Sequence, residues 1–206
     1  MKKIDFKKEL KQFYGPTARQ GFVVVDVPEM SFLMVDGTGN PNTAPAFAQA
    51  IEALYALAYR LKFMIRSGDL GIDYGVMPLE ALWWSDDMTA FSPDDKDSWK
   101  WTAMIMQPDW VTAELVEKAR TEAAAKKDLP VLPLVRLDRY AEGPSVQCLH
   151  VGPYSDEGPR IAAMHRFIAE SGGALRGKHH EIYLNDMRRT DPAKLKTVIR
   201  QPMTPG

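Results

Sequence analysis

A single cysteine, Cys148, stands in a chain of 206 residues. One thiol cannot close an intrachain disulfide, and it is too few for a Cys-based zinc site. Long apolar runs are also missing, with none near the roughly 18 residues that a membrane span requires. Neither sign of charge is in surplus: 26 Lys and Arg face 27 Asp and Glu, for a net charge of -1. That balance argues against binding nucleic acid or an anionic membrane over the whole surface. The start of the chain lacks the pattern of a secretory signal, which, with the lone cysteine, points to a reducing cytoplasm. No Gly-x-Ser-x-Gly elbow occurs, and Gly37-x-Gly39 is too short for a dinucleotide fingerprint. What the chain does have is rings and thioethers: five Trp, seven Tyr, eight Phe and eleven Met. Trp83, Trp84, Trp99 and Trp101 crowd into one short stretch, enough to build a core or to wall a ligand cavity.

Hydrophobic periodicity divides the chain into elements. Residues 1–20 read as a Lys-rich arm that packs only partly. Residues 22–27 and 31–36 are β-branched or apolar runs that read as two strands, followed by the turn cluster Gly37–Asn42. From Ala46 to Arg66 the apolar residues Phe47, Ile51, Leu54, Ala58, Leu61 and Ile65 recur at helical steps, with Thr43 as a candidate cap and Pro45 in the first turn. Residues 74–84 and 99–107 read as strands joined by a polar loop from Ser85 to Ser98. Residues 109–127 read as a helix capped by Asp109 or Thr112. Further strands are expected at 135–140, 145–151, 178–184 and 196–200, with a helix over 157–170. The sequence of strand, glycine turn, helix, strand and strand occurs twice, about residues 22–107 and 135–203, linked by the helix over 109–127. The expected class is therefore α+β, a single domain over 1–206 in which duplicated strand–helix–strand–strand units form a curved antiparallel sheet with helices on one face.

Two acidic residues interrupt apolar strands. Glu80 alternates with Leu82 and Trp84, and Glu181 alternates with His179 and Tyr183. A buried carboxylate costs several kcal/mol unless it is paired. Each Glu therefore marks a buried ion pair or a ligand cavity, unless it points outward into water. A desolvated carboxylate suits a general base near neutral pH, and Tyr183 could donate to an oxyanion or to a nucleophilic water. Carboxylates among rings would also hold a cationic or flat aromatic ligand. Metal is not expected: His179 and His180 are adjacent strand residues and point to opposite faces, and His150 and His165 have no spacing that joins them. Cys148 reads as a core thiol.

The segments Pro78–Trp84, Trp99–Ile105, His150–Tyr154 and Gly177–Leu184, followed by Asp186 and Arg188-Arg189, together resemble the stand-alone GyrI-like small-molecule-binding proteins over roughly residues 5–203. The resemblance implies two repeats that share a curved sheet, with a ligand cleft where they meet. Glu181 stands where related multidrug-responsive regulators keep a cleft glutamate, although no DNA-binding helix-turn-helix segment precedes the domain. Some stand-alone members hydrolyse cyclopropane-bearing genotoxic agents. By that resemblance Glu181 activates water and Tyr183 positions it, Trp84 and Trp101 sandwich a flat substrate, and Glu80 is a second cleft carboxylate, with Tyr154 and His179 as further ligand contacts. No cofactor is implied, the expected partner is a small aromatic molecule, and a topoisomerase is suggested by the family name alone. The rival reading is a non-catalytic protein that senses or sequesters its ligand.

Overall fold

The computed structural model of the chain describes residues 2–88 and 95–206, so part of the expected Ser85–Ser98 loop lies outside the described residues. A short strand β1 (Lys2–Ile4) and two one-turn helices, α1 (Phe6–Glu9) and α2 (Lys11–Tyr14), lead into the long strand β2 (Val23–Thr38). The helix α3 (Pro45–Ser67), the short β3 (Ile72–Tyr74), and the strands β4 (Leu79–Trp84) and β5 (Lys100–Gln107) follow. The second half runs through α4 (Ala113–Ala124), β6 (Arg136–Val151), α5 (Gly158–Glu170), β7 (Ala174–Leu175), β8 (His179–Tyr183) and β9 (Lys196–Thr204).

The strands pair in the order β6-β2-β5-β4-β8-β9, and β9 returns to pair with β6. All these pairings are antiparallel. The sheet therefore closes into a six-stranded barrel rather than remaining an open curve, and closure removes the exposed edges that an open sheet would leave. Closure depends on the length of β2 and β6, 16 residues each. Residues 23–34 of β2 run along β6 and residues 31–38 along β5, and β6 in turn spends its last residues on β9. Each of these long strands was expected as two. Pro28 and Gly143 are tolerated inside them as bends, Gly143 at φ 70°.

The helices lie against the outer face. Phe47 of α3 packs on Trp83 and Trp101, and Met164 and Ile168 of α5 pack on Val146, Cys148 and Ile199. Thr112 caps α4, accepting from Leu115 N–H at 3.2 Å. Thr43 does not cap α3, which begins after Ala44 with Pro45 in its first turn. The amino-terminal arm is a stopper rather than a loosely packed tail at its far end: Phe13 and Tyr14 are each 3% exposed.

Candidate functional site

Strand register decides which side chains meet. Ala81 pairs with Glu181, Leu82 with His180 and Trp83 with His179, and Trp83 also pairs with Trp101. Directly paired residues share a face. Leu79, Ala81, Trp83, Trp101, His179, Glu181 and Tyr183 therefore face the helices, whereas Glu80, Leu82, Trp84, His180 and Ile182 face the barrel interior. Two of the expected site assignments fail on this geometry. Glu80 is not a second carboxylate beside Glu181, and Trp84 and Trp101 cannot sandwich one ligand.

Inside the barrel Glu80 belongs to a closed polar chain. Tyr14 Oη donates to Glu80 Oε1 at 2.7 Å. His180 lies between Glu80 Oε2 at 3.1 Å and Glu142 Oε1 at 2.9 Å. Arg200 donates to Glu142 Oε2 at 2.9 Å, to Gln147 Oε1 at 3.0 Å and to the Phe13 carbonyl at 2.7 Å. All six side chains are buried. Burial opposes the charge of both His180 and Glu142, but their mutual attraction prevails: Glu142 is held down to about 2 and His180 is raised to about 9. The sequence reading did not foresee Glu142, Arg200 or Tyr14 in this role. Arg200 is a charge inside an expected strand, Glu142 falls between two expected strands, and Tyr14 lies in the arm expected to pack only partly. Trp84 sits at the rim of this interior, where the chain's own Lys178 ammonium lies 3.3 Å from its ring centroid. Trp101, 1% exposed, is a core residue wedged against Phe47.

The helix-facing seam between β4 and β8 carries a different cluster. α3 packs over β2 and β5, and α5 over β6 and β9, so this seam is the part of the sheet between the two helices. Glu181 is 14% exposed at its side chain. Tyr183 Oη donates to Glu181 Oε2 at 2.6 Å and accepts from Trp83 Nε1–H at 3.2 Å. His179 Nε2 lies 3.2 Å from Glu181 Oε1, so the N–H of that tautomer donates to it. Tyr154, just before α5, meets Tyr183 edge to face at 5.5 Å. Tyr55 of α3 reaches the Leu79 backbone from the other side of the seam. Burial and the charge of Glu181 keep the Tyr183 hydroxyl protonated.

Glu157, the residue that opens α5, joins this cluster and was read from the sequence only as a helix start. It is 3% exposed and lies beside Glu181. Burial and then the Glu181 charge push it up to about 9. Glu181 moves the other way: burial opposes its charge, but His179, Tyr183 and Glu157 together hold it below the ordinary carboxylate range. The cluster is therefore one carboxylate and one carboxylic acid at neutral pH, with a tyrosine and a histidine fixing the carboxylate. Among the described residues no group of three or more His, Cys, Asp or Glu is placed to hold a metal ion. Two surface cavities of about 500 and 520 Å³ lie elsewhere, beside Lys3–Lys7 and beside Lys11–Thr17, and neither touches Glu181.

The family model for the GyrI-like small molecule binding domain matches residues 22–203. An uncharacterized conserved protein from Listeria innocua is similar to this chain at a TM-score of 0.90 and 42% identity, covering 98% of this chain and 100% of its own. A hydrolase from the same organism is similar at a TM-score of 0.85 and 42% identity, with the same coverage of 98% and 100%. The C-terminal domain of EcmrR shares the fold alone, at a TM-score of 0.57 and 11% identity over 90% of this chain and 98% of that one. Comparison with curated protein sequences gives no match. No helix among the described residues is long and apolar enough to cross a membrane.

Proposed function

The chain belongs to the GyrI-like small-molecule-binding family, and from that premise we propose that it binds a flat aromatic molecule over the β4–β8 seam between α3 and α5 and opens a strained ring, of the cyclopropane type, by hydrolysis. The observation that carries the reading is the Glu181 carboxylate, held by Tyr183 at 2.6 Å and by His179 at 3.2 Å on a ring-walled floor. On this reading the fixed carboxylate accepts a proton from a water that attacks the bound ligand. Tyr183 orients the carboxylate and is itself oriented by Trp83. Tyr154, meeting Tyr183 edge to face, offers a wall for a planar ligand. Support also comes from the hydrolase of Listeria innocua, 42% identical along 98% of this chain.

The matching pairings β2–β5–β4 and β6–β9–β8 support reading the chain as two copies of one strand–helix–strand–strand unit, about 22–107 and 135–203. On that reading β4 and β8 are equivalent strands and the proposed site lies at their junction.

The test is incubation with a cyclopropane-bearing alkylating agent, with products followed by mass spectrometry. Ring-opened product carrying one added water, formed by the natural chain and reduced about 10²–10⁴-fold in Glu181→Gln with binding retained, is the expected result. Stoichiometric quenching of Trp fluorescence without product would instead identify a sequestering or sensing protein.

A further inference from the structure

We propose that Glu157 is the acid partner of Glu181, carrying the proton that the opened ring receives. The proposal rests on the hydrolytic reading above and adds a residue and a step to it.

The geometry places the two carboxyls together. Tyr154 fixes the approach of the chain by packing on Tyr183. Three residues later Glu157 turns into α5 with its side chain over the β8–β9 pair. Its neighbours there are Glu181 and Thr197, and Thr197 is the strand partner of Tyr183. Glu157 is 3% exposed, and its Oε1 has no hydrogen-bond partner. Two carboxyls enclosed side by side cannot both ionise, because repulsion adds to the loss of hydration. One of them must hold a proton. His179 and Tyr183 both donate to Glu181 and so favour its charged form, which leaves the proton on Glu157. The other ionisable groups around Glu157 do not replace that proton. Tyr154 and Tyr183 are neutral phenols held protonated by burial. Arg160 lies one turn along α5 with its guanidinium 5.9 Å over the Phe22 ring. His150 is bonded to the Pro153 carbonyl at 3.1 Å, and Lys96 acts only as a weaker cationic neighbour.

The step balances. Water oxygen forms a bond to one ring carbon while Glu181 takes a water proton. The carbon–carbon bond of the ring breaks, and its electron pair passes to the departing carbon or the acceptor conjugated with it. That atom takes the proton from Glu157. The pair ends with one proton, now on Glu181, and proton exchange between the two carboxyls restores the starting state.

Glu157→Gln tests the idea, since the amide can still donate to Glu181 but cannot yield a proton. With the cyclopropane-bearing agent, kcat is expected to fall about 10²–10⁴-fold with KM nearly unchanged, and the alkaline limb of the kcat profile to disappear. A second measurement needs no turnover. Infrared spectra of the natural chain at pH 7 are expected to show a protonated carboxyl band that titrates away near 9. The band is expected to vanish in Glu157→Gln, and its midpoint to drop in Glu181→Gln, where the repelling charge is gone. A band that persists in Glu157→Gln, or a variant that keeps both kcat and the alkaline limb, would overturn the proposal. A band behaving as expected in a protein that binds the agent but forms no product would overturn the hydrolytic reading, and the acid role with it, while leaving the shared proton in place.

Discussion

Glu80 and Glu181 sit on neighbouring strands one position out of register, Glu80 opposite Ile182 and Glu181 opposite Ala81, and their carboxyls leave opposite faces of the sheet. One is enclosed in a barrel with a tyrosine and a histidine. The other lies on the helix-facing side with a tyrosine, a histidine and a second acid. Similar neighbours thus serve two ends, and the two sites respond to substitution in different ways.

Glu80→Ala strips partners from Tyr14 Oη and His180 Nε2 in a fully buried setting. Breaking one side of such an array costs about 3–5 kcal/mol. Urea unfolding is expected to show a loss of that size for Glu80→Ala. Glu181→Gln, which keeps an acceptor for Tyr183, is expected to change stability by about 1 kcal/mol or less. Equal losses for the two variants would contradict the assignment of faces.

The interior array also sets a pH range. His180 is raised from 6.5 to about 9, so its contribution is complete below 6.5 and is lost as pH rises through 9. Glu142 is lowered from 4.5 to about 2, so its contribution is present above 4.5 and is lost as pH falls through 2. Thermal melts are expected to peak between these limits, at roughly pH 4.5–6.5, and to decline toward pH 9. A melting temperature flat from pH 6 to pH 9.5 would exclude a buried charged His180.

Glu157 contributes to that decline in the same direction. Its affinity for a proton rises from 4.5 to about 9 on folding, so folding consumes a proton between these values and stability falls as pH rises across them. Glu157→Gln is expected to melt higher than the natural chain at pH 8, with the advantage shrinking toward pH 4.5. A group that serves catalysis while it destabilises the fold has this signature. A variant less stable than the natural chain at pH 8 would show that Glu157 is structural.

Tyr183→Phe removes the donor to Glu181 and the acceptor for the Trp83 N–H. A hydrogen bond to a charged group is worth about 1.5–3 kcal/mol, so turnover is expected to drop about 10–100-fold. Steady-state kinetics on the cyclopropane-bearing agent measure it, with the loss in kcat larger than the change in KM.

Gly37 is paired with Trp101 across β2 and β5, and a Cβ there would come within 2.2 Å of the indole. Gly37→Ala is therefore expected to destabilise by about 1–3 kcal/mol, as overpacking does. The loss is expected to shrink in a Trp101→Phe background, measured as a double-mutant cycle.

The local features of this protein could be read from its residues. Apolar steps of three and four gave α3 and α5 to within a residue or two, Thr112 was available as the cap of α4, and β-branched and aromatic runs gave the strands. Glu181 and Tyr183, two apart on a strand, had to share a face, and they do. Relations between strands could not be read. The closure of β6 on β9 joins residues some 50 positions apart, and nothing in either segment names its partner. Whether Glu80 joins Glu181 depended on a one-residue register that periodicity alone leaves free, because shifting a strand by one exchanges its two faces. Glu157 was hidden for the same reason: a glutamate at the start of a helix is ordinary there, and only the docking of α5 on β6 and β9 brings its carboxyl onto another. Sequence determined which side chains could work together along one strand. Folding decided which charges would be enclosed together, because enclosure belongs to the packed surfaces and not to any one of them.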